Sequence, residues 1–226
     1  MVYNKTMRKL VLLSAIYLLL STTAFAQSVD IIWQGEGYVP PFYEGRTLWS
    51  SQSRINLLAI PQGLGGAANL NYKWSKNGTV LGNLSGVGEN SLSFVDSVIS
   101  KPQNIKVEIV SSEGDVLAET SVVVSPRRPE LLVYEESPLY GLLFHREIGS
   151  NYPLREKEVT FRAFPLFFSD LDTTYLWRTN TGETGIESSA TYRAPDLPAG
   201  RQGEEAGSAS ISVEAKSDEK ILQSAK

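Results

Sequence analysis

Apolar and polar residues alternate along several short stretches of this chain. The clearest stretches cover residues 54–59, 70–75, 92–94 and 105–109. Alternation with a period of two residues places one face of a β-strand on a core and the other face in water. Residues 27–226 contain no long apolar stripe at the 3.6-residue period of an amphipathic helix. The pattern therefore predicts an all-β protein.

Turn residues separate the predicted strands. Asn77-Gly78 directly follows an alternating stretch, and this dipeptide favours a type I′ hairpin turn because both central residues need a positive φ. Glu113-Gly114-Asp115 predicts a second turn, ahead of an apolar strand over residues 116–124. Short strands divided by turns, in units of about 100 residues, predict a sandwich of two packed sheets.

One motif occurs twice. The pattern Tyr-x-Trp-x-x-Asn-Gly at residues 72–78 returns as Tyr-x-Trp-x-x-Asn-x-Gly at residues 175–182. Three further pairs of segments match: 31–33 with 131–133, 55–61 with 159–165, and 105–108 with 211–214. Offsets of 100 to 106 residues in all four pairs predict a tandem duplication. The proline-bracketed segment Ser125–Pro129 is predicted to be the connector.

The two motifs resemble the immunoglobulin-like and polycystic-kidney-disease-like modules of exported and cell-surface proteins. The resemblance covers essentially all of residues 27–226. It implies two tandem immunoglobulin-like β-sandwich domains, over residues 27–126 and 127–226. A Trp on the third strand of such a fold lies at the centre of the core. Trp74 and Trp177, with Tyr72 and Tyr175, are therefore the expected core markers.

Two features depart from these families. The chain contains no cysteine, so it lacks the inter-sheet disulfide, whose positions we assign to Leu57 with Val107 and to Phe161 with Val213. The Trp-x-Phe-Gly-Asp-Gly run typical of the polycystic-kidney-disease type is also absent. The resemblance therefore extends to the sandwich and leaves the subfamily unassigned.

The first 26 residues predict export. Basic residues precede the apolar run Leu10–Leu20, and Ala24-Phe25-Ala26 is a small-residue cleavage site, so the mature chain is expected to begin at Gln27. An uncleaved anchor is the alternative, but the apolar run is shorter than the roughly 20 residues that a membrane span needs. We expect a periplasmic, extracellular or cell-surface location, without a transmembrane anchor in the mature chain.

The charge of the mature chain restricts its partners. Without the three basic residues of the leader, 18 basic residues face 25 acidic ones, a formal net charge of −7. Nucleic-acid surfaces need clustered Lys and Arg, so a nucleic-acid partner is not expected. The expected partner is an envelope protein or a glycan.

The chain contains few candidate catalytic residues, and we expect no enzyme activity, cofactor or metal. His145 is the one histidine, and the expected interpretation is a solvent-facing residue. Asp170 and Asp172 could ligate calcium, but no further acid follows at a regular spacing. Asn77 and Asn83 begin formal glycosylation sequons, whose use depends on the host.

An aromatic segment is the one candidate interaction loop. It contains Tyr38, Pro40, Pro41, Phe42 and Tyr43, and aromatic loops are favoured at interfaces. The segment is echoed at residues 134–140 of the second copy. We therefore expect it to pack on its own sandwich.

The second copy has two irregular parts. Residues 195–207 are rich in Gly and Pro and predict a flexible insertion between strands. Since the chain stops at Ser224-Ala225-Lys226, we expect this copy to lack its last strand. Two explanations are open: a longer parent sequence, or a partner that adds the strand to the sheet edge.

These features predict a non-enzymatic exported protein of the cell envelope, acting as a structural spacer or an adhesion and protein-interaction module. The alternative is a non-catalytic accessory region of a larger exported enzyme.

Overall fold

The computed structural model describes residues 26–96, 101–169, 172–194, 208–220 and 222–226. The predicted leader up to Phe25, the predicted insertion 195–207 and Asp170 lie outside the described residues. The described chain is all-β, as the alternating pattern predicts, and its sheets are antiparallel.

The strands fall into a first half and a second half on either side of the connector. The first half also contains two single-turn 3₁₀ helices, Ala67–Asn69 and Gly82–Leu84. Its strands are β1 Ser28–Glu36, β2 Arg54–Gln62, β3 Asn71–Lys76, β4 Thr79–Val80, β5 Gly86–Val87, β6 Ser91–Val95, β7 Gln103–Val110 and β8 Val116–Val124. The strands of the second half are β9 Glu130–Ser137, β10 Gly141–Leu142, β11 Glu158–Leu166, β12 Thr173–Thr179, β13 Gly182–Gly185, β14 Ser189–Arg193, β15 Ile211–Ser217 and β16 Ser224–Ala225.

The strand order is the same in both halves. In the first half, β1-β2-β6 form one sheet and β4-β3-β7-β8 form the other, with β5 added beside β3. In the second half, β9-β11-β14 form one sheet, to which β10 adds an edge, and β13-β12-β15-β16 form the other. Each sheet therefore takes all its strands from one half of the chain.

The two sheets of each half share one apolar core. In the first half the core joins Ile55 and Leu57 of β2 to Trp74 of β3 and Val107 of β7. Alternation explains this, because β2 and β7 bury every second residue. In the second half Phe161 of β11 meets the residues of the opposite sheet, Trp177 and Val213. The positions assigned to the absent disulfide are therefore filled by buried apolar side chains.

The two tryptophans of the repeated motif, Trp74 and Trp177, are held in the same way. Trp74 pairs across the sheet with Val107, and Trp177 pairs with Val213. The indole N–H of Trp74 donates to the carbonyl of Glu89 at 2.8 Å. The indole N–H of Trp177 donates to the carbonyl of Glu187 at 2.9 Å. Each glutamate lies two residues before the strand that follows it, β6 or β14.

The predicted hairpin is present after β3. Asn77 and Gly78 have φ values of 52° and 81°, as a type I′ turn requires. The Asn77 side chain bonds Gln103 and accepts the backbone N–H of Asn104 at 2.8 Å. The turn is thus tied to β7, and the asparagine has a structural role irrespective of any glycan.

The last strands of the two halves, β8 and β16, differ in length. β8 pairs with β7 from Gln103 to Val110, whereas β16 pairs with β15 only at Ala215 and Lys216. Among the described residues no helix is long and apolar enough to cross a membrane.

Candidate interaction site between the two halves

The connection between β1 and β2, residues 37–53, contacts both halves of the chain. Trp49 lies in the core of the first half, and Tyr38 bonds the second half. The connection folds back over the end of β1, where the N–H of Gly35 donates to the carbonyl of Thr47 at 2.8 Å. A Cβ atom on Gly35 would lie 2.4 Å from the carbonyl oxygen of Leu48. Only glycine therefore allows the two segments to approach this closely.

The connection pairs with the second half through its backbone. The N–H of Tyr38 donates to the carbonyl of Phe168 at 2.6 Å, and the N–H of Phe167 donates to the carbonyl of Tyr38 at 2.8 Å. Gly37 makes this approach possible, since a Cβ there would lie 3.1 Å from the Phe168 carbonyl oxygen. Two reciprocal bonds fix the register between the connection and the end of β11.

Phe42 is the aromatic centre of this contact. Its ring lies 5.5 Å from that of Tyr134, 4.5 Å from that of Phe144 and 5.1 Å from that of Phe164, measured between centroids. Tyr134 and Phe164 point outward from β9 and β11, so Phe42 covers the outer face of this sheet. Edge-to-face aromatic pairs stabilise by about 0.5–1.5 kcal/mol each beyond the area they bury.

A second aromatic contact lies at the end of β11. The rings of Tyr43 and Phe167 meet edge to face at 5.7 Å. The four residues 165–168 are all buried, although the alternation of a strand would expose every second one. Phe167 and Phe168 are not part of the core that surrounds Trp177. The contact with the first half therefore accounts for the burial of Phe167 and Phe168.

Gln223 joins the halves by hydrogen bonds. Its side chain is 1% exposed. The amide nitrogen donates to the carbonyl of Ser51 at 2.7 Å and lies 3.4 Å from the hydroxyl of Ser50. The amide oxygen accepts the N–H of Ser169 at 2.7 Å and its hydroxyl at 2.9 Å. A buried amide with all these partners is stabilising, whereas an unpaired one costs about 1–3 kcal/mol.

Two further bonds complete the junction. The N–H of Leu222 donates to the side-chain oxygen of Gln52 at 2.9 Å. In the connector, the N–H of Arg127 donates to the carbonyl of Trp49 at 2.7 Å, beside a parallel bridge between Ser50 and Arg127. The 37–53 connection is thus fixed to the connector as well as to the second half.

Burial changes the ionisation of Tyr175, a residue of the repeated motif. Tyr175 is half-buried and packs against the core of the second half. Desolvation, with a smaller contribution from Tyr38, raises the pKa of Tyr175 to about 12. Tyr175 is therefore a neutral phenol in the folded protein at physiological pH.

The predicted site residues take the following positions. Trp74, Trp177 and Tyr72 are buried in the cores, and Tyr175 is half-buried beside the junction. The loop residues predicted to pack on their own sandwich instead contact the second half, through Tyr38, Phe42 and Tyr43. Pro40 is buried and its carbonyl accepts the N–H of Tyr43 at 2.9 Å, whereas Pro41 is exposed.

The other sequence candidates are not brought together. His145 is exposed, at a cleft of about 360 Å³ that also contains Tyr152. Tyr152 donates to Glu135 at 2.6 Å, and burial together with this bond raises its pKa to about 12. Asn83 lies exposed in the second 3₁₀ helix. Among the described residues no group of three or more His, Cys, Asp and Glu could hold a metal ion.

Two parts of the junction were not predicted from the sequence. The run Phe164–Phe168 interrupts the alternation of β11, and this interruption was a usable signal of burial on both faces. Gln223 carries no such signal, because nothing local to it indicates a partner more than 170 residues away.

Comparison with known proteins identifies no family. No protein family model and no curated protein sequence matches the chain. Among solved structures, the chain is similar to the three N-terminal domains of the bacteriophage RB49 Highly Immunogenic Outer Capsid protein (Hoc), with a TM-score of 0.42 and 14% identity, covering 88% of this chain and 59% of that structure. It is also similar to the fibronectin(III)-like modules of Clostridium thermocellum CbhA, with a TM-score of 0.28 and 14% identity, covering 86% of this chain and 92% of that structure.

Proposed function

We propose that this protein is a non-enzymatic, exported component of the cell envelope that acts as a rigid two-domain spacer and interaction module. The observation that carries the proposal is the junction around Phe42 and Gln223. A cluster of packed aromatic rings and a buried amide with hydrogen-bond partners in both halves are features of a permanent contact between domains. A spacer needs such a contact, because two domains on a free linker would not hold a fixed separation.

The proposal assigns residues 1–26 to a signal peptide, 27–126 to one immunoglobulin-like sandwich and 127–226 to a second. The repeated strand order and the matching tryptophan bonds support a duplicated unit. β4 lies beside β3, and β13 lies beside β12. A constant-type immunoglobulin domain instead places the strand that follows the third one in the sheet of the first, second and fifth strands. We therefore propose an immunoglobulin-like sandwich that does not belong to the constant-type subfamily.

The mechanism would be mechanical. The junction holds the sandwiches in one orientation, and their free loops and sheet faces contact an envelope protein or a glycan. Aromatic and apolar side chains at exposed turns are suited to such contacts.

Export can be tested directly. The full chain, with a C-terminal epitope, would be produced in a bacterial host and located by cell fractionation and N-terminal sequencing. We expect the protein outside the cytoplasm with Gln27 as its first residue, and we expect Ala26→Asp to retain the leader. A cytoplasmic protein that keeps its leader would contradict the proposal.

A further inference from the structure

The outer face that receives Phe42 in the second half has a counterpart in the first half. Equivalent hydrogen bonds set the correspondence. The N–H of Ala59 donates to the carbonyl of Asn90 and the N–H of Ala163 donates to the carbonyl of Ser188, each at 2.8 Å, so the two alanines hold the same position in β2 and β11. No residue is inserted between the matched segments 55–61 and 159–165. Tyr134 lies opposite Arg162, and Ile32 lies opposite Leu58, the residue matched to Arg162. In the same way Ile60 matches Phe164.

This counterpart face is apolar and uncovered. Ile32 is 52% exposed, Leu58 is 37% exposed and Ile60 is 38% exposed, and the three are neighbours on the β1–β2 surface. A polar pair borders these three residues on one side, where the side-chain amide of Gln62 donates to Asp30 at 3.0 Å. An apolar centre with a polar border is the composition of a protein interface.

The element that supplies Phe42 also has a counterpart. Pro41-Phe42-Tyr43 of the first half is echoed by Pro138-Leu139-Tyr140, in the turn between β9 and β10. Leu139 is 78% exposed and Tyr140 is 77% exposed. The turn is preorganised, since the Ser137 hydroxyl accepts the N–H groups of both residues at 3.3 Å. Preorganisation lowers the entropic cost of binding.

We propose that these two surfaces bind each other between copies of this chain. The Leu139–Tyr140 turn of one copy contacts the Ile32–Leu58–Ile60 face of the next copy. The chain already contains one such contact, Phe42 on the Tyr134–Phe164 face, and the two unoccupied counterparts are both apolar. Since the turn and the face belong to opposite halves, the association is head to tail, and it builds a ring or an open filament.

The test is sedimentation of the mature chain over a range of concentrations. A turn variant carries Leu139→Ser and Tyr140→Ser, and a face variant carries Ile32→Ser and Ile60→Ser. All four positions are exposed, so both variants are expected to fold, as circular dichroism and thermal melting would show. Val80→Ser with Val87→Ser removes two exposed valines elsewhere and is the matched control. Physiological salt screens the net negative charge of the copies.

We expect the average mass of the wild type and of the control to rise with concentration. Each variant alone should associate at least about tenfold more weakly, the equivalent of 1.4 kcal/mol. An equimolar mixture of the two variants should form dimers and nothing larger, because only one productive contact remains between them. A wild type that stays monomeric, variants that associate like the wild type, or a mixture without dimers would overturn the proposal. None of these results would bear on export or on the junction within one chain.

Discussion

Phe167 in the second half occupies the position of Gly63 in the first half. Both follow a matched proline by two residues, and their φ values are 64° and 69°. Glycine adopts this left-handed conformation freely, whereas a side chain with a Cβ is strained there by about 1–2 kcal/mol. The ring of Phe167 meets that of Tyr43 in the first half, a contact that glycine could not make. Strain at a position that contacts the other half supports a functional role for the junction.

At Phe167 we expect the glycine variant to be more stable than the alanine variant, the reverse of the usual order. Phe167→Ala loses the buried ring and keeps the strain, and we expect a loss of about 3 kcal/mol. Phe167→Gly loses the ring but relieves the strain, so it should be more stable than the alanine variant by about 1 kcal/mol. Denaturant unfolding measures both variants. At neighbouring Phe168, which is buried without a positive φ, alanine should be the more stable variant. The same order at both positions would contradict the strain at Phe167.

Removal of the Gln223 amide should destabilise the contact between the halves. Gln223→Ala takes the donor from the Ser51 carbonyl and the acceptor from the Ser169 N–H. We expect a loss of about 2–3 kcal/mol in unfolding free energy. Gln34→Ala, on the exposed side of β1, is the control and should change stability by less than about 0.5 kcal/mol. Equal effects of the two substitutions would show that Gln223 does not stabilise the junction.

The two tryptophan anchors should respond alike. Trp74→Phe and Trp177→Phe each remove the N–H that bonds a glutamate carbonyl and leave a small cavity. We expect each to cost about 2–3 kcal/mol, with the two values within about 1 kcal/mol of each other. Trp33→Phe, at a ring that is only partly buried against the first core, should cost less, about 1 kcal/mol. Thermal unfolding followed by circular dichroism would reveal a large inequality, which would contradict the equivalence of the two halves.

The Tyr175 phenol should make stability fall at alkaline pH. Its pKa is raised from 10.0 to about 12 by desolvation, so the folded state favours the neutral form. This contribution is fully present below pH 10 and is lost as the pH rises towards 12. Tyr175→Phe should therefore reduce the decline in unfolding free energy over this range. Adding Tyr152→Phe to this variant should reduce the decline in unfolding free energy further, because the pKa of Tyr152 is also raised to about 12. An unchanged decline in the Tyr175 variant would refute the assignment.

The strands were predictable because their determinants are local. Alternation from Arg54 to Ala59 corresponds to β2, and Asn77-Gly78 corresponds to the hairpin between β3 and β4. The all-β class is confirmed, since period-two burial is a property of each strand by itself. The repeated Tyr-x-Trp motif was also visible in the sequence, and both of its tryptophans, Trp74 and Trp177, are buried.

The junction was less predictable because it depends on contacts between distant segments. The aromatic character of Phe42 indicated burial or binding, but no local pattern indicates that its partners are Tyr134 and Phe164. Repetition of the loop favoured packing within each copy. In the structure the rings of Phe42 and Tyr43 contact the second half, whereas the Leu139–Tyr140 turn is exposed.

A distance measurement across the junction tests the central claim most directly. The chain has no native cysteine, so Glu113→Cys and Asn180→Cys, both at exposed turns, provide one spin label in each half. We predict a single narrow distance distribution by pulsed electron spin resonance. The distribution should broaden when Phe42→Ala and Gln223→Ala are added. A distribution that is already broad in the labelled parent chain, and unchanged by these substitutions, would contradict a rigid junction.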